Sequence, residues 1–397
     1  MKTVVDLSVC SAPFRRRVGA VPVLDPAMVF ATGIRGVWID PSDAATLFTD
    51  LAGTTPATTP GDLVALALDK SHALARGAEL MPSGFGSGTW SSFASGVSVA
   101  GGIVTFDAVP AGSNGLLLTA ANGSPYQTSA SVEVTITISD YVSGGIRLWH
   151  GSGYSPVFSG NGTHRFLAVF PADLSLRCYT PSSGGVTSLK AGLSVRELPG
   201  AHATQPVLAA RPVYSLAGGL PSLSFDGIDD RLIVRRLDLS SGAALTGAAG
   251  LYKPDDGVAA RVLDLGGAEP TMALDAPATA GLPQIALTVN NGTPVSVTNS
   301  ATAAPVAAAA LLRASVAAPH LAALQVSGGA DLASSASSGT VAAHWRNARE
   351  LHLGQRTDGG LRFAGRIHGL VLFDTALSEP DNTLLSHYMA QKTGAPT

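Results

Sequence analysis

Hydrolysis of a glycosidic bond requires two carboxylates about 5–10 Å apart across the scissile bond. The chain has six glutamates (Glu79, Glu133, Glu197, Glu269, Glu350 and Glu379), each isolated from the others in sequence. Glu133 lies in a strand-like stretch but has no acidic residue two or four positions on. The carboxylates that do gather are Asp226, Asp229 and Asp230. A hard cation such as Ca²⁺ takes six to eight oxygens, so three carboxylates would only begin a site. The same spacing suits a strand ending in an Asp/Gly turn, where Asp side chains bond their own backbone. Asp255-Asp256-Gly257 reads the same way. The turn is the expectation, with Asp226, Asp229 and Asp230 kept as the metal candidates. Ser87 sits in Gly86-Ser87-Gly88, a loop composition rather than a nucleophile elbow. The nine histidines are scattered, with no His-x-x-x-His pair. The sequence therefore predicts no catalytic residue, no metal site and no cofactor.

A different chemistry is available at Trp149-His150-Gly151-Ser152-Gly153-Tyr154. Sugars bind by laying their C–H faces on aromatic rings while polar groups read the hydroxyls. An aromatic on each side of a Gly/Ser loop suits that task, which makes Trp149, His150 and Tyr154 the candidate carbohydrate-binding residues. Trp149 also continues the alternation of Ile146-Arg147-Leu148, and tryptophan is highly buried on average. A place in the core is the competing expectation.

The elements that must position these residues follow from composition. In 397 residues the charged fraction is 13%, while Gly 45 and Pro 25 supply many chain breaks. Helix surfaces favour Lys and Glu, whereas turns favour Asp and Gly. The balance predicts an all-β chain. A net charge of −3 offers no field for nucleic acid or an anionic membrane. Cys10 and Cys178 lie far apart in different segments, and both are expected to be unpaired. No basic-then-apolar leader pattern opens the sequence. The most apolar stretch, Ala301 to Leu324, is interrupted by Pro305, Arg313, Pro319 and His320, so no membrane insertion is expected.

Residues 1–33 carry apolar side chains (Val4, Val5, Leu7, Val9, Phe14, Val21, Val23, Leu24, Met28, Phe30) with too little chain to enclose them, and read as a docking arm. Residues 34–83 read as a connector in which Asp40 or Ser42 could cap a short helix. From Trp90 the period becomes two, with Ser131 to Ile138 alternating cleanly. Residues 84–200 are expected to form one β-sandwich, 201–212 a linker, and 213–397 a second sandwich. The alanine-rich run from Ala303 to Val316 is expected to be extended, because Pro305 and Pro319 bracket it. Ser378, Asp381 and Gly394 delimit one C-terminal helix with Leu384, Leu385, Tyr388 and Met389 on one face.

Three stretches carry a resemblance. Phe30-Ala31-Thr32-Gly33 through Val37-Trp38-Ile39-Asp40-Pro41-Ser42-Asp43, then Leu47 to Pro56 and Leu68-Asp69-Lys70-Ser71, resemble a segment recurrent in structural proteins of tailed bacteriophages. Residues 84–200, ending Leu193-Ser194-Val195-Arg196-Glu197-Leu198-Pro199-Gly200, resemble the jelly-roll module that often follows it. Residues 213–394, with Leu223-Ser224-Phe225-Asp226-Gly227-Ile228-Asp229-Asp230 and Phe363 to Leu370, are similar to concanavalin A-like (laminin-G-like) domains. The resemblance implies two tandem β-sandwiches and a virion location, reached after assembly in the bacterial host cytoplasm. The role implied is that of a fibre, spike, tail or head-decoration protein. It also implies partners: other virion proteins through residues 1–33, further copies in a homotrimer, and a host-surface polysaccharide. Hydrolases on the concanavalin A-like fold carry their carboxylates in a Glu-x-Asp-x-Glu run, which this chain lacks. A polysaccharide depolymerase and a cellular carbohydrate-binding module are the alternatives.

Overall fold

The computed structural model describes residues 15–18, 21–81, 83–86, 90–92, 94–118, 131–150, 153–169, 176–266, 270–276, 285–290, 294–299, 306–315, 320–336 and 345–396. They divide into two compact units. One comprises Asp50–Thr54 and Leu74–Pro199, the other Met1–Thr49, Thr55–Ala73 and Gly200–Thr397. Nearly all regular structure in both is antiparallel β, and among the described residues only Pro26–Phe30 and Glu379–Thr393 are α-helical.

The smaller unit has a five-stranded and a four-stranded sheet among its described residues. In the five-stranded sheet, Ser131–Ser143 lies between Gly162–Val169 and Val186–Glu197, with Ile103–Val109 and Val97–Ala100 continuing from the latter. Its period-two pattern sends Val132, Val134, Ile136 and Ile138 into the core. Val97–Ala100 and Ile103–Val109 form a hairpin, closed by Gly101 and Gly102 at φ of 57° and 79°. The four-stranded sheet runs Arg147–Trp149, Leu176–Tyr179, Asn114–Leu118, Trp90–Ser92. Leu148, Leu176 and Cys178 close the core from that side. Cys178 is a free thiol, buried, with its pKa pushed up to about 12 by desolvation. Cys10 lies outside the described residues.

The larger unit has a nine-stranded and an eight-stranded sheet among its described residues, with the main core between them. The stretch 34–83 reads from sequence as a connector, but its part before residue 74 supplies strands to both sheets. Gly36–Ile39 pairs with Ala364–Phe373, while Leu47–Phe48 and Leu66–Ala67 extend the nine-stranded sheet. Residues 201–212 are likewise built in rather than free: Ala203–Thr204 is a strand between Leu66–Ala67 and Leu232–Arg235. Arg211 fixes the segment by donating to the Gln205 and Thr49 carbonyls. The helical turn after Pro41 is a short 3₁₀ segment, Ala44–Thr46, with no side-chain cap. Asp40 instead accepts from Ser42 and is drawn into ion pairs, which outcompete capping for its oxygens.

Val306–Ser315 is extended, the described part of the alanine-rich run. The terminal helix Glu379–Thr393 starts at Ser378, whose Oγ accepts from the Asp381 N–H, and stops at Gly394 with φ of 68°. Its inner face, Leu385 and Met389, lies on the outside of the eight-stranded sheet against Ala248, Ala309, Leu311 and Phe373. Leu24, Val29 and Phe30 pack in the same cluster. Residues 1–33 were expected to need a partner to cover these side chains. The chain covers Val23, Leu24, Val29 and Phe30 itself, because the exposed sheet face beside the helix offers them an apolar seat. Residues 1–14 lie outside the described set.

Candidate functional site: an aromatic and arginine face on the smaller unit

Two short strands build this face. In Arg147–Trp149 and Leu176–Tyr179, Leu148 and Cys178 point into the core, so Arg147, Trp149, Arg177 and Tyr179 take the opposite face. Their register sets Arg147 opposite Tyr179 and Trp149 opposite Arg177, a chequered arrangement of two guanidinium groups and two rings. Trp149 is therefore a half-buried residue of the outer face and not part of the core.

The chain then folds back to add a third ring. The His150 N–H donates to the Gly153 carbonyl at 3.0 Å, and Tyr154 bridges to Trp149. The Ser155 N–H donates to the Leu148 carbonyl at 2.8 Å, and Ser155 Oγ accepts from the Leu148 N–H at 2.9 Å. These bonds lay the Tyr154 ring edge-on to Trp149 (4.9 Å between centroids) and to Tyr179 (5.5 Å). The Arg147 guanidinium lies 3.8 Å over the Tyr154 ring, a cation–π contact. Arg177 Nη1 donates to Tyr179 Oη at 3.2 Å. Tyr154 remains 45% exposed.

Of the three residues singled out from sequence, the structure brings Trp149 and Tyr154 together and sets His150 apart. The His150 ring neighbours Phe166 at 6.0 Å, and burial lowers its pKa below the usual histidine value, so it is a neutral flank of the core. Arg147, Arg177 and Tyr179 were missed. Their signal is the repeated Arg-x-aromatic, Arg147-Leu148-Trp149 and Arg177-Cys178-Tyr179, in two strands that pair.

The Asp226, Asp229, Asp230 group belongs to the larger unit, its carboxylate oxygens within 4.8 Å of one another. Those oxygens serve their own turn. Asp226 Oδ1 accepts from the Ile228, Asp229 and Asp230 N–H groups, and Asp230 Oδ2 accepts from the Asp226 N–H at 2.9 Å. Burial, with the neighbouring charges of Asp226 and Asp229, pushes the Asp230 carboxyl up to about 7.

The larger unit also holds a cavity of about 360 Å³ beside the terminal helix, lined in part by Trp38, Asp40, Lys70 and Lys392. Lys392 Nζ lies 2.6 Å from Asp40 Oδ1 and from Ser42 Oγ, and Lys70 Nζ is 3.2 Å from Asp40 Oδ2 and 2.8 Å from Asp43. Burial opposes the charge on Asp40, but Lys392 and Lys70 outweigh it and hold the carboxyl below its ordinary value. Burial lowers Lys392 despite that pairing. These charges answer one another and tie the helix to the strand Gly36–Ile39. Elsewhere in this unit Arg261 forms ion pairs with Asp264 and Asp275, at 3.5 and 2.7 Å.

No family model matches the sequence, and no curated protein matches it. Among solved structures, the chain is similar to the binding domain of botulinum neurotoxin DC in complex with rat synaptotagmin II, over 42% of this chain and 43% of that one. The identity is 10% and the TM-score 0.33. A botulinum neurotoxin serotype D/C binding domain matches over 49% of each chain, with 9% identity and a TM-score of 0.34. The Ruminococcus gnavus IT-sialidase CBM40 bound to α2,3-sialyllactose matches over 37% of this chain and 84% of that one, with 13% identity and a TM-score of 0.30. The chain thus spans about half or less of the neurotoxin domains it matches. Likeness at this level leaves function to the chain's own residues.

Proposed function

We propose that the chain is a non-enzymatic structural protein of a tailed-bacteriophage virion that contacts host-surface glycan through its smaller, jelly-roll unit. The observation that carries the glycan contact is the outer face formed by Trp149, Tyr154 and Tyr179 with Arg147 and Arg177. Rings held by strand register and backbone bonds lose little entropy when a sugar is laid on them. Support for the virion role comes from the resemblance of residues 30–71, and for the absence of catalysis from the isolated glutamates. The N-terminal 33 residues attach the protein to other virion proteins, and the protein assembles as a homotrimer. Because Leu24, Val29 and Phe30 pack within the chain's own core, the informative truncation removes residues 1–14 alone. The truncated protein is expected to fold but to be lost from particles. Normal incorporation would move the attachment point elsewhere.

The same face suits a carbohydrate-binding module outside any virion. Immunogold electron microscopy of purified particles separates the two readings, since only the virion protein labels them. Glycan binding is tested by calorimetry on the full chain, where Trp149→Ala should weaken affinity by about tenfold or more. Release of reducing ends from a bound polysaccharide would instead establish a depolymerase.

A further inference from the structure

We infer that the ligand of this face is an anionic glycan, one whose sugar units carry carboxylates. The inference rests on the glycan-binding reading and sharpens it. Its basis is the state of the two guanidinium groups. Elsewhere in the smaller unit Arg76 pairs with Glu133, Lys190 with Asp140 and Arg196 with Glu79, while Arg165 is exposed to solvent. Arg147 and Arg177 have no acidic partner among the described residues, and the Nε of each is buried with no hydrogen-bond partner. Arg147 is held by the Tyr154 ring, and Arg177 is steadied through one Nη1 donor to Tyr179 Oη. Both therefore keep most of their donors while already paying part of the desolvation of their charge.

Covering the rings with a neutral sugar would bury these two charges further and return no counter-charge, which is unfavourable. A carboxylate answers both needs, because the planar guanidinium fork matches its two oxygens. The register strengthens the case. Arg147 and Arg177 are diagonal neighbours on adjacent strands, a spacing of about 7–8 Å, with a ring opposite each. A sugar face laid on the rings thus brings its substituents between two cations. Salt should weaken such binding more than it weakens stacking.

The test is calorimetry on the full chain with a panel of acidic oligosaccharides, namely oligogalacturonate, alginate oligomers and sialic acid oligomers, each beside its carboxyl-reduced counterpart. The expected result is that at least one acidic form binds about tenfold or more tighter than its reduced form, with a gap that narrows as salt rises. Arg147→Gln and Arg177→Gln should each shrink that gap, lowering affinity for the acidic form more than for the reduced form, while Trp149→Ala weakens both forms alike. Should a glutamine variant fold poorly, Arg177→Lys keeps the charge without the fork and should shrink the gap relative to the parent. Equal binding of acidic and reduced forms, unmoved by either arginine substitution, overturns the anionic assignment and leaves the glycan-binding reading intact. Binding of neither form by any pair overturns both.

Discussion

Asp69 shows how much one side chain can hold. It is fully buried, and its carboxylate accepts from the Trp38 N–H (2.8 Å), the Ser71 N–H (2.9 Å), Ser71 Oγ (2.8 Å) and the Ala201 N–H (2.7 Å). Asp69→Ala orphans several donors at once. Each buried unsatisfied group costs roughly 1–3 kcal/mol, so the loss should be about 3 kcal/mol or more, read from the denaturant midpoint of the larger unit. Two other buried groups set opposing pH trends. His368, with its Nδ1 3.0 Å from the Pro221 carbonyl, is lowered by burial to about 4 from an ordinary 6.5. The unfolded chain takes that proton first, so its contribution is present above 6.5 and lost as pH falls toward 4. Asp230, raised to about 7 from 3.8, stays protonated in the fold where the unfolded chain is ionised. Its contribution is present below 3.8 and lost as pH rises through 7. Asp230→Asn keeps an acceptor for the Asp226 N–H and cannot ionise. It should raise Tm at about pH 8 and change it little at about pH 3 in scanning calorimetry. Equal shifts at both pH values would mean that ionisation is not the cause. Legibility at this scale was partial. Alternation through Leu148 places Trp149 outside, a conclusion the sequence already permitted once Ile146 and Leu148 were taken as core. That Tyr154 returns to Trp149 depends on a backbone bond across Gly153, which no periodicity encodes.

Elements were more legible where their signals were local. The terminal helix carries its own start and stop, so Ser378 and Gly394 mark it in sequence. The strand Val306–Ser315 is the harder case, because alanine is the best helix former. It is extended because both its faces are covered: Ala308, Ala310, Leu312 and Ala314 meet the inter-sheet core, while Ala309 and Leu311 lie under the helix cluster. Small side chains there have a purpose. Gly250, opposite Ala309, has no room for a Cβ, which would meet Met389 Sδ and Thr393 Cγ2 at 2.8 Å each. Gly250→Val should therefore lift the helix and destabilise by about 1–3 kcal/mol, the usual cost of overpacking. Met389→Ala in the same chain should recover part of that loss, and thermal melts of the single and double variants measure the coupling. Independent, additive losses would show that the helix does not bear on Gly250. The hairpin Arg15–Val18 with Val21–Leu24 and the helix Pro26–Phe30 could not be placed from sequence, since their apolar residues name no seat. The seat is made by strands more than two hundred residues away.

At the scale of the whole molecule, the chain leaves its larger unit after Ala73 and rejoins it at Gly200. Both ends of that excursion are anchored in the larger unit as neighbours. Leu66–Ala67 pairs antiparallel with Ala203–Thr204, and the Asp69 N–H donates to His202 Nδ1 at 3.0 Å. The Ala201 N–H and both Ser71 donors meet on the single carboxylate of Asp69. Such a pair of strands is what a hairpin would present, and insertions succeed where chain ends already lie close together. Composition could not reveal this, because β-strands on either side of residue 74 look alike and only pairing across 130 residues assigns them. Replacing residues 74–199 with a short glycine-containing turn between Ala73 and Gly200 should leave the larger unit folded. Loop closure favours the change, since entropy cost rises with loop length. Circular dichroism and a single cooperative melt would report the intact β-structure. The loop Asp50–Thr54, which belongs to the smaller unit through the Leu167 N–H to Ala52 carbonyl bond, would lose that partner. Under the proposed function the shortened chain still enters particles yet binds no acidic glycan. Loss of cooperative unfolding on excision would mean that the larger unit needs residues 74–199 to fold, and that the two strands beside Asp69 are held together from outside rather than by their own bonds.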